Sequence, residues 1–259
     1  MNRIIDYENL SEKIQTWIIN YVNKHNIKTL VVGVSGGIDS AVVSTLCAKT
    51  GIPTIAIGMP INSNSNNTEL SKKQLLYLKQ YKVESEEIDL SLIYNSYNKL
   101  MSSNYPSDLG FANTKARLRM ITLYQISASK GGIVVGTGNK VEDFGVGFYT
   151  KYGDGGVDIS PIADLYKSEV RELGRLLNVP QEIIDAEPTD GLWDDNRVDE
   201  TQIGATYEEL EWAMEYGEDK EFHTEKEHDV VNIYQILNHK NKHKMVPIPI
   251  FDLNKNKIL

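Results

Sequence analysis

Apolar residues recur along this chain in two rhythms, and the alternation between them outlines a fold. Between positions 8 and 24 they keep helical spacing. Leu10, Ile14, Trp17, Ile18 and Val22 form one stripe, which predicts an amphipathic helix at a domain edge or against a partner. Next comes an unbroken run, Leu30 to Val34, rich in β-branched residues, as expected of a strand buried on both faces. Asp39 to Lys49 reads as a helix, Thr54–Gly58 as a second strand and residues 69–81 as a helix. Lys82–Asp89 is a third strand candidate, and Leu92–Met101 a short helix. Residues 102–113, with Pro106 and Gly110, read as a loop before a helix over Thr114 to Lys130 whose inward positions are Ala116, Met120, Leu123, Ile126 and Ser127. Ile133–Val135 gives a fourth strand. Lys167 to Leu177 reads as a helix stopped by Asn178-Val-Pro180, and Thr206 with Glu209 is a capping-box pair opening another. A helix over 229–238 precedes a basic tail carrying Pro247 and Pro249. Strands alternating with helices predict an α/β fold with a doubly wound parallel β-sheet flanked by helices.

Several stretches carry neither rhythm. Residues 62–68 are polar throughout, which suits either a surface loop or a lid beside a ligand, since they follow the carboxyl end of a strand. Residues 148–158 mix aromatics, glycines and charge; a purely structural loop needs the glycines but not Lys151, Asp154 and Asp158 among them. Residues 187–202 form an acidic irregular segment, and a charged stretch covers 217–229.

Length and composition narrow the classes. The chain has 259 residues, 41% of them hydrophobic, enough for one α/β domain with a sizeable core. A net charge of −9 argues against a nucleic-acid-binding surface. The lone cysteine, Cys47, cannot form an internal disulfide and suits a small core position. No apolar run approaches roughly 18 residues and the N-terminus has no signal-like segment, so no membrane association is expected and a cytoplasmic protein is.

The chemistry concentrates after the first strand, at Gly33-Val34-Ser35-Gly36-Gly37-Ile38-Asp39-Ser40. Strand, glycine turn and helix start together make an anion site, because unpaired N–H groups of a first helical turn and the helix dipole both favour negative charge. Asp39 stands where a Walker-type loop has its lysine. A carboxylate beside a phosphate is repulsive unless a cation lies between them, so the loop itself predicts Mg²⁺ and a lysine arriving from elsewhere. The plain alternative is that Ser35 or Asp39 merely caps an ordinary helix. A second strand-then-glycine turn, Gly136-Thr137-Gly138-Asn139, is followed at once by Glu142 and Asp143, hard oxygen ligands suited to the same ion. Lys115, Arg117 and Arg119 fall near the start of their helix, where the dipole prefers acids; they are either a solvated face or a site for an anionic ligand.

The Ser-Gly-Gly-Ile-Asp-Ser loop resembles that of the N-type ATP pyrophosphatases, which implies an adenine nucleotide alpha hydrolase-like fold and chemistry at the α-phosphate of ATP. The later segments decide among members. Lys115-Ala-Arg117-Leu-Arg119-Met, Gly136-Thr137-Gly-Asn, Phe148-Tyr-Thr-Lys151-Tyr-Gly-Asp154-Gly-Gly-Val-Asp158, Glu187-Pro-Thr189 and Asp199-Glu-Thr-Gln-Ile-Gly-Ala-Thr-Tyr207 resemble the ammonia-dependent NAD synthetases, in order, from about residue 29 to 249. Glutamine-dependent members add a nitrilase-like glutaminase domain, for which 259 residues leave no room; a single synthetase domain over 1–259 is expected.

The resemblance implies ATP-dependent amidation of deamido-NAD⁺ with ammonia to NAD⁺, AMP and pyrophosphate through an adenylated intermediate, the last step of NAD biosynthesis. It implies that Gly33, Val34, Ser35, Gly36, Gly37, Ile38, Asp39, Ser40, Thr137, Lys167 and Thr189 contact ATP. Asp39 would hold Mg²⁺, and Lys167 would supply the positive charge missing from the loop. Arg117, Lys151 and Asp158 match positions that hold deamido-NAD⁺, and Asp154 an acid that helps deprotonate ammonia. A homodimer with the dinucleotide near the interface is also implied, and the apolar stripe of residues 8–24 is a candidate contact.

Two departures from the family pattern stand out. Between Thr137 and Lys151 there is one residue more than usual, so the second metal carboxylate is Glu142 counted forward or Asp143 counted backward; Glu142, anchored to the strand end, is expected. A late His-Lys pair has two candidates, His239-Lys240 and His243-Lys244, and the latter precedes Met-Val-Pro-Ile-Pro and fits better. Two rival readings remain, an amidating ligase for another acid and a nucleotide-sensing module without turnover.

Overall fold

The computed structural model describes residues 3, 4, 6–62, 66–189, 191–193, 197–216 and 224–252. Four strands, β1 (Thr29–Gly33), β2 (Thr54–Gly58), β3 (Glu84–Glu87) and β4 (Gly132–Val134), form one sheet in the order β3-β2-β1-β4. Every pairing is parallel, with Val31 opposite Ile55 on one side and Val134 on the other. The chain steps outward from β1 to β2 and β3, then returns to the opposite flank of β1 as β4. The loop after β1 therefore opens at the point where winding reverses, the crevice in which parallel sheets bind ligands. An isolated bridge, Val135 to Ile159, lays the end of the 148–158 loop alongside β4.

Both faces of the sheet are covered along β1, β2 and β4, which is why those strands are mostly apolar without alternation, whereas β3, at the edge, is polar and mostly exposed. On one face α1 (Tyr7–His25), α2 (Ile38–Lys49), α3 (Asn66–Leu78), α6 (Lys167–Leu176) and α7 (Gln181–Ile184) enclose Ile18, Leu30, Leu46, Leu173 and Ile183. On the other, α4 (Ser91–Met101) and α5 (Asp108–Lys130) pack Tyr94, Met120 and Leu123 on Val31 and Ile57. A second apolar cluster, with Tyr207 at its centre, is built by a π-helix (Lys140–Val146), α8 (Asp199–Ile203), α9 (Tyr207–Tyr216) and α10 (Glu225–Met245). No helix among the described residues is long and apolar enough to cross a membrane.

Most expected elements appear within a few residues, and the differences have local causes. The first helix buries Ile14, Ile18 and Val22 against the protein's own core, so its stripe is not left for a partner, while Trp17 at its edge is 45% exposed. Helix α5 starts at Asp108, not Thr114: Ser107 accepts the amide of Gly110, and a glycine in a first turn does not stop a helix that is capped. Lys115, Arg117 and Arg119 are thus mid-helix, and the dipole argument about them lapses. Residues 66–68 of the polar run form the first turn of α3, whereas 63–65 lie outside the described residues. Helix α10 begins earlier and runs on to Met245, started by a Thr224–Glu227 capping box and favoured at its end by Lys242, His243 and Lys244, so the basic "tail" is largely helical. Residues 190, 194–196 and 217–223 of the two charged segments lie outside the described residues; within the first of those segments Asp199 already begins α8.

Candidate active site

The turn after β1 is shaped by sterics. Gly36 has φ +94°, and a Cβ there would come within 2.2 Å of the Asn67 carbonyl oxygen, so only glycine lets α3 press against the loop. Ser71 Oγ donates to the Val34 carbonyl at 2.7 Å and holds that contact. Ser40 Oγ accepts the Ser35 amide and donates to the Gly37 carbonyl, closing the turn. Gly37 is the N-cap of α2 and no side chain caps the helix. The Asp39 carboxylate points elsewhere, so the plain capping alternative fails for it.

Asp39 faces Lys167, the first residue of α6, with Nζ to Oδ2 at 2.5 Å. The same ammonium donates to Glu142 Oε1 at 2.9 Å. Lys167 is 3% exposed, so the three charges meet out of bulk water. Burial opposes the lysine's charge, but Asp39 and Glu142 outweigh it and hold its pKa above the ordinary range. Burial likewise pushes Glu142 upward, yet Lys167 and the hydroxyl of Tyr207 prevail and its pKa ends lowered. Asp39 ends raised, burial prevailing over Lys167. Tyr207, fully buried, donates its hydroxyl to Glu142 Oε1 at 2.6 Å and also reaches Asp199 Oδ2 at 3.3 Å. Asn139 caps the π-helix by accepting the amides of Val141 and Glu142, and its Nδ2 contacts Asp39 at 3.4 Å.

The π-helix lies in the stretch between Thr137 and Lys151, where the family resemblance implies one residue more than usual. A turn closed over five residues takes up one more than an α-turn, and such turns are rare and cluster at functional sites. The Gly147 amide closes one on the Glu142 carbonyl. The winding directs Glu142 toward Lys167, while Asp143 presses its carboxylate against Gly138, where a Cβ would overlap it. Burial, with Glu142, Asp154 and Asp39 nearby, raises the pKa of Asp143 well above the carboxylate range.

Lys167 is held from behind. A capping box joins Tyr166 and Glu169 at the start of α6, and Arg3 grips Glu169 with Nε at 2.9 Å and Nη2 at 2.6 Å. Arg3 also lies over the Tyr166 ring, 4.2 Å from its centre.

A second group of residues gathers beside this triad. Both Nε and Nη2 of Arg117 donate to the Lys151 carbonyl, and Lys151 Nζ donates to the His243 carbonyl at 2.8 Å. Lys244 Nζ donates to the carbonyls of Gly147 and Tyr149, and burial lowers its pKa. His239 and Lys240 are exposed on α10, so Lys244 is the late lysine that meets the loop. Asp154 accepts the Thr150 amide at 3.0 Å. Desolvation pushes its pKa up to about 6, against the Thr150 amide, which favours the charged form. Asp158 is engaged by Tyr124 and by the Val134 amide at the end of β4. Thr189 accepts from Asn67 Nδ2 at 2.6 Å, which sets it beside Gly36, and Thr137 follows the β4 strand end.

Sequence reasoning named most of these positions but missed Asn139 and Tyr207 as parts of the site. The Asn139 signal was present, an Asx residue before a helical turn. Tyr207 carried none beyond its place in a long matching segment, because its partner Glu142 is 65 residues away.

Among the described residues no cluster of three or more His, Cys, Asp or Glu side chains is arranged to hold a metal. Two carboxylates meeting on one cation is nonetheless the donor set Mg²⁺ takes when substrate phosphates and water complete its shell. The Lys167 ammonium already marks the position where positive charge is shared.

A family profile for NAD synthase matches residues 10–247. The chain is 38% identical over 208 residues to the NH₃-dependent NAD⁺ synthetase of Finegoldia magna, covering 80% of this chain and 84% of that one. Its fold overlays the NMN synthetase of Francisella tularensis with a TM-score of 0.86 at 30% identity, covering 96% of this chain and all of the other. It overlays the NH₃-dependent NAD synthetase of Campylobacter jejuni, solved with nitrate, with a TM-score of 0.78 at 27% identity, covering 96% and 100%.

Proposed function

The chain belongs to the NAD synthase family, and on that premise we propose how it works as an ammonia-dependent NAD⁺ synthetase. It amidates deamido-NAD⁺ with ammonia and converts ATP to AMP and pyrophosphate. The amides and hydroxyls of residues 35–40, at the uncapped start of α2, receive the β- and γ-phosphates. Thr137 and Thr189 flank the nucleotide. Asp39 and Glu142 would hold Mg²⁺, whose chemistry there is to neutralise the polyphosphate. Lys167 turns from the carboxylates to the phosphates and orients the leaving pyrophosphate.

Arg117, Lys151, His243, Lys244 and Asp158 form the cradle for the acid substrate. One nicotinate oxygen attacks the α-phosphorus, and the bond from that phosphorus to the bridging oxygen breaks. Ammonia then attacks the acyl carbon, AMP leaves with the former carboxylate oxygen, and Asp154 accepts a proton from nitrogen. Most of the rate enhancement comes from positioning and charge neutralisation.

The observation carrying this reading is Lys167 bridging Asp39 and Glu142 beside the glycine turn. The test is NAD⁺ formation from deamido-NAD⁺, ATP, Mg²⁺ and ammonium. Stoichiometric ATP binding without pyrophosphate release would support a nucleotide sensor instead, and AMP release only with another acid would support a different ligase.

The likeness to a protein named NMN synthetase raises a second substrate reading, in which the same cradle takes a mononucleotide acid. Running mononucleotide and dinucleotide in parallel separates the two by kcat/KM.

The reading includes a homodimer in the cytoplasm. Leu92, Ile93 and Leu100 on α4 and Leu109 and Ile121 on α5 are 55–79% exposed, an apolar surface suited to a second copy. Arg117 shares the α5 stripe of Ile121, which supports a dinucleotide site near that contact. Sedimentation of an Ile121→Asp variant checks it. The cytoplasmic setting rests on the biosynthetic chemistry of the family.

A further inference from the structure

The C-terminal half of α10 ends the π-helix. The last four carbonyls of any helix lack partners within it. Here Asn238 Nδ2 donates to the Gly145 carbonyl at 2.7 Å and the Phe144 carbonyl at 3.3 Å. Asn241 Nδ2 donates to Val146 at 2.8 Å, and Lys244 Nζ to Gly147 at 2.7 Å and Tyr149 at 2.9 Å. Positions 238, 241 and 244 lie three apart on one stripe of the helix, so a single rigid face supplies donors to consecutive orphan carbonyls. The approach is close. Gly147 has φ +65°, and a Cβ on it would fall 2.4 Å from Asn241 Cβ. Lys151 returns a bond to the His243 carbonyl on the far side.

Glu142 sits at the other end of the same π-helix, and the Gly147 and Phe148 amides both close on its carbonyl. Sliding that helix by one residue would carry Glu142 away from Lys167 and Tyr207. We propose that Asn238 and Asn241 are positioning residues for Glu142: by satisfying carbonyls freed at the end of a π-turn, they keep the carboxylate in register beside Asp39. This rests on Glu142 serving Mg²⁺ and ATP, as proposed above.

The test uses the full chain with Asn241→Leu and Asn238→Leu, which remove the donors at similar volume, and Asn241→Ser, which retains one. Amide hydrogen exchange is followed over residues 140–149 and over β1, together with the Mg²⁺ concentration giving half-maximal rate. Each leucine variant is expected to speed exchange in 140–149 but not in β1, and to raise the half-saturating Mg²⁺ about tenfold, the usual effect of losing a residue that orients a ligand. The serine variant is expected near wild type. Leucine variants with unchanged Mg²⁺ dependence would overturn the proposal, whether or not exchange changes, because the contacts would then be structural only. Wild-type protein lacking Mg²⁺-dependent turnover would instead sink the functional reading, and this proposal, which rests on it, with it. If Asn241→Leu does not fold, Asn238→Leu decides.

Discussion

The ammonium of Lys167 lies 2.5 Å from the carboxylate of Asp39, although the two residues are 128 positions apart. Asp39 opens the helix after β1 and Lys167 opens α6, so two helix starts converge above one sheet edge. Glu142 completes the group from the π-helix. The lysine thereby does for the two carboxylates what the proposed Mg²⁺ would do when nucleotide is bound. It also implies competition between ammonium and metal for the same oxygens.

Lys167→Met therefore has a double signature. Two partly buried carboxylates lose their cation, and stability is expected to fall by about 3 kcal/mol. Turnover should drop at least ~100-fold, because the pyrophosphate loses its partner. Added Mg²⁺ should raise the melting midpoint of the variant more than that of wild type. Equal midpoint shifts in both proteins would show that lysine and metal do not share a site.

Glu142 and Asp143 are separable by substitution. Glu142→Gln should raise the Mg²⁺ requirement about tenfold or more. Asp143→Asn should leave it unchanged. Because the folded pKa of Asp143 is raised, its contribution to stability is full below the unfolded value and is lost as pH rises through the folded one. The asparagine, a mimic of the neutral acid, should match wild type below about pH 4 and exceed it above. Denaturant melts at acid and neutral pH check the trend, and a gap independent of pH contradicts it.

Tyr207→Phe removes the hydroxyl that Glu142 accepts while keeping the buried ring. A loss of about 1–2 kcal/mol in stability is expected, as Asp199 also loses a donor. Metal dependence should weaken while KM for deamido-NAD⁺ holds, which steady-state kinetics at several Mg²⁺ concentrations would reveal.

The reaction requires neutral ammonia, so the rate at fixed total ammonium should climb with pH. Asp154, with its pKa near 6, is ionised at pH 7 and able to take the proton. Asp154→Asn should cost roughly 100-fold there and less at high pH, where free ammonia is abundant. Parallel pH–rate profiles for the two enzymes would remove Asp154 from the proton path.

Gly36→Ala tests the loop. The backbone angle and the Asn67 oxygen both oppose a methyl group, at a cost of about 1–3 kcal/mol in local strain. ATP affinity by calorimetry is expected to fall, with the melting midpoint following.

Much of this protein was legible in its residues. The buried strand runs and the glycine turn follow from hydrophobic period and turn chemistry, which act over a few neighbours and leave a local trace; the strand order that reverses the winding at β1 does not. The acid inside the glycine turn, Asp39, was enough to demand a distant cation, and the family resemblance already named Lys167. That Lys167 meets Asp39 and Glu142 together, and what orients it, came only from the tertiary fold. Glu142 was separated from Asp143 only by the π-winding, since a single extra residue can be absorbed on either side of a carboxylate and spacing alone does not say where. Tyr207, Asn238 and Asn241 read as ordinary helix residues because their partners lie 65 or more residues away, and a hydrogen bond closed across the fold leaves no local pattern. The start of α5 was misplaced for the converse reason: a glycine in the sequence signals a break, and only the cap at Ser107 shows that the helix tolerates it. Local chemistry thus determined the sheet and the need for charge at its edge, and long-range packing decided which side chains meet there.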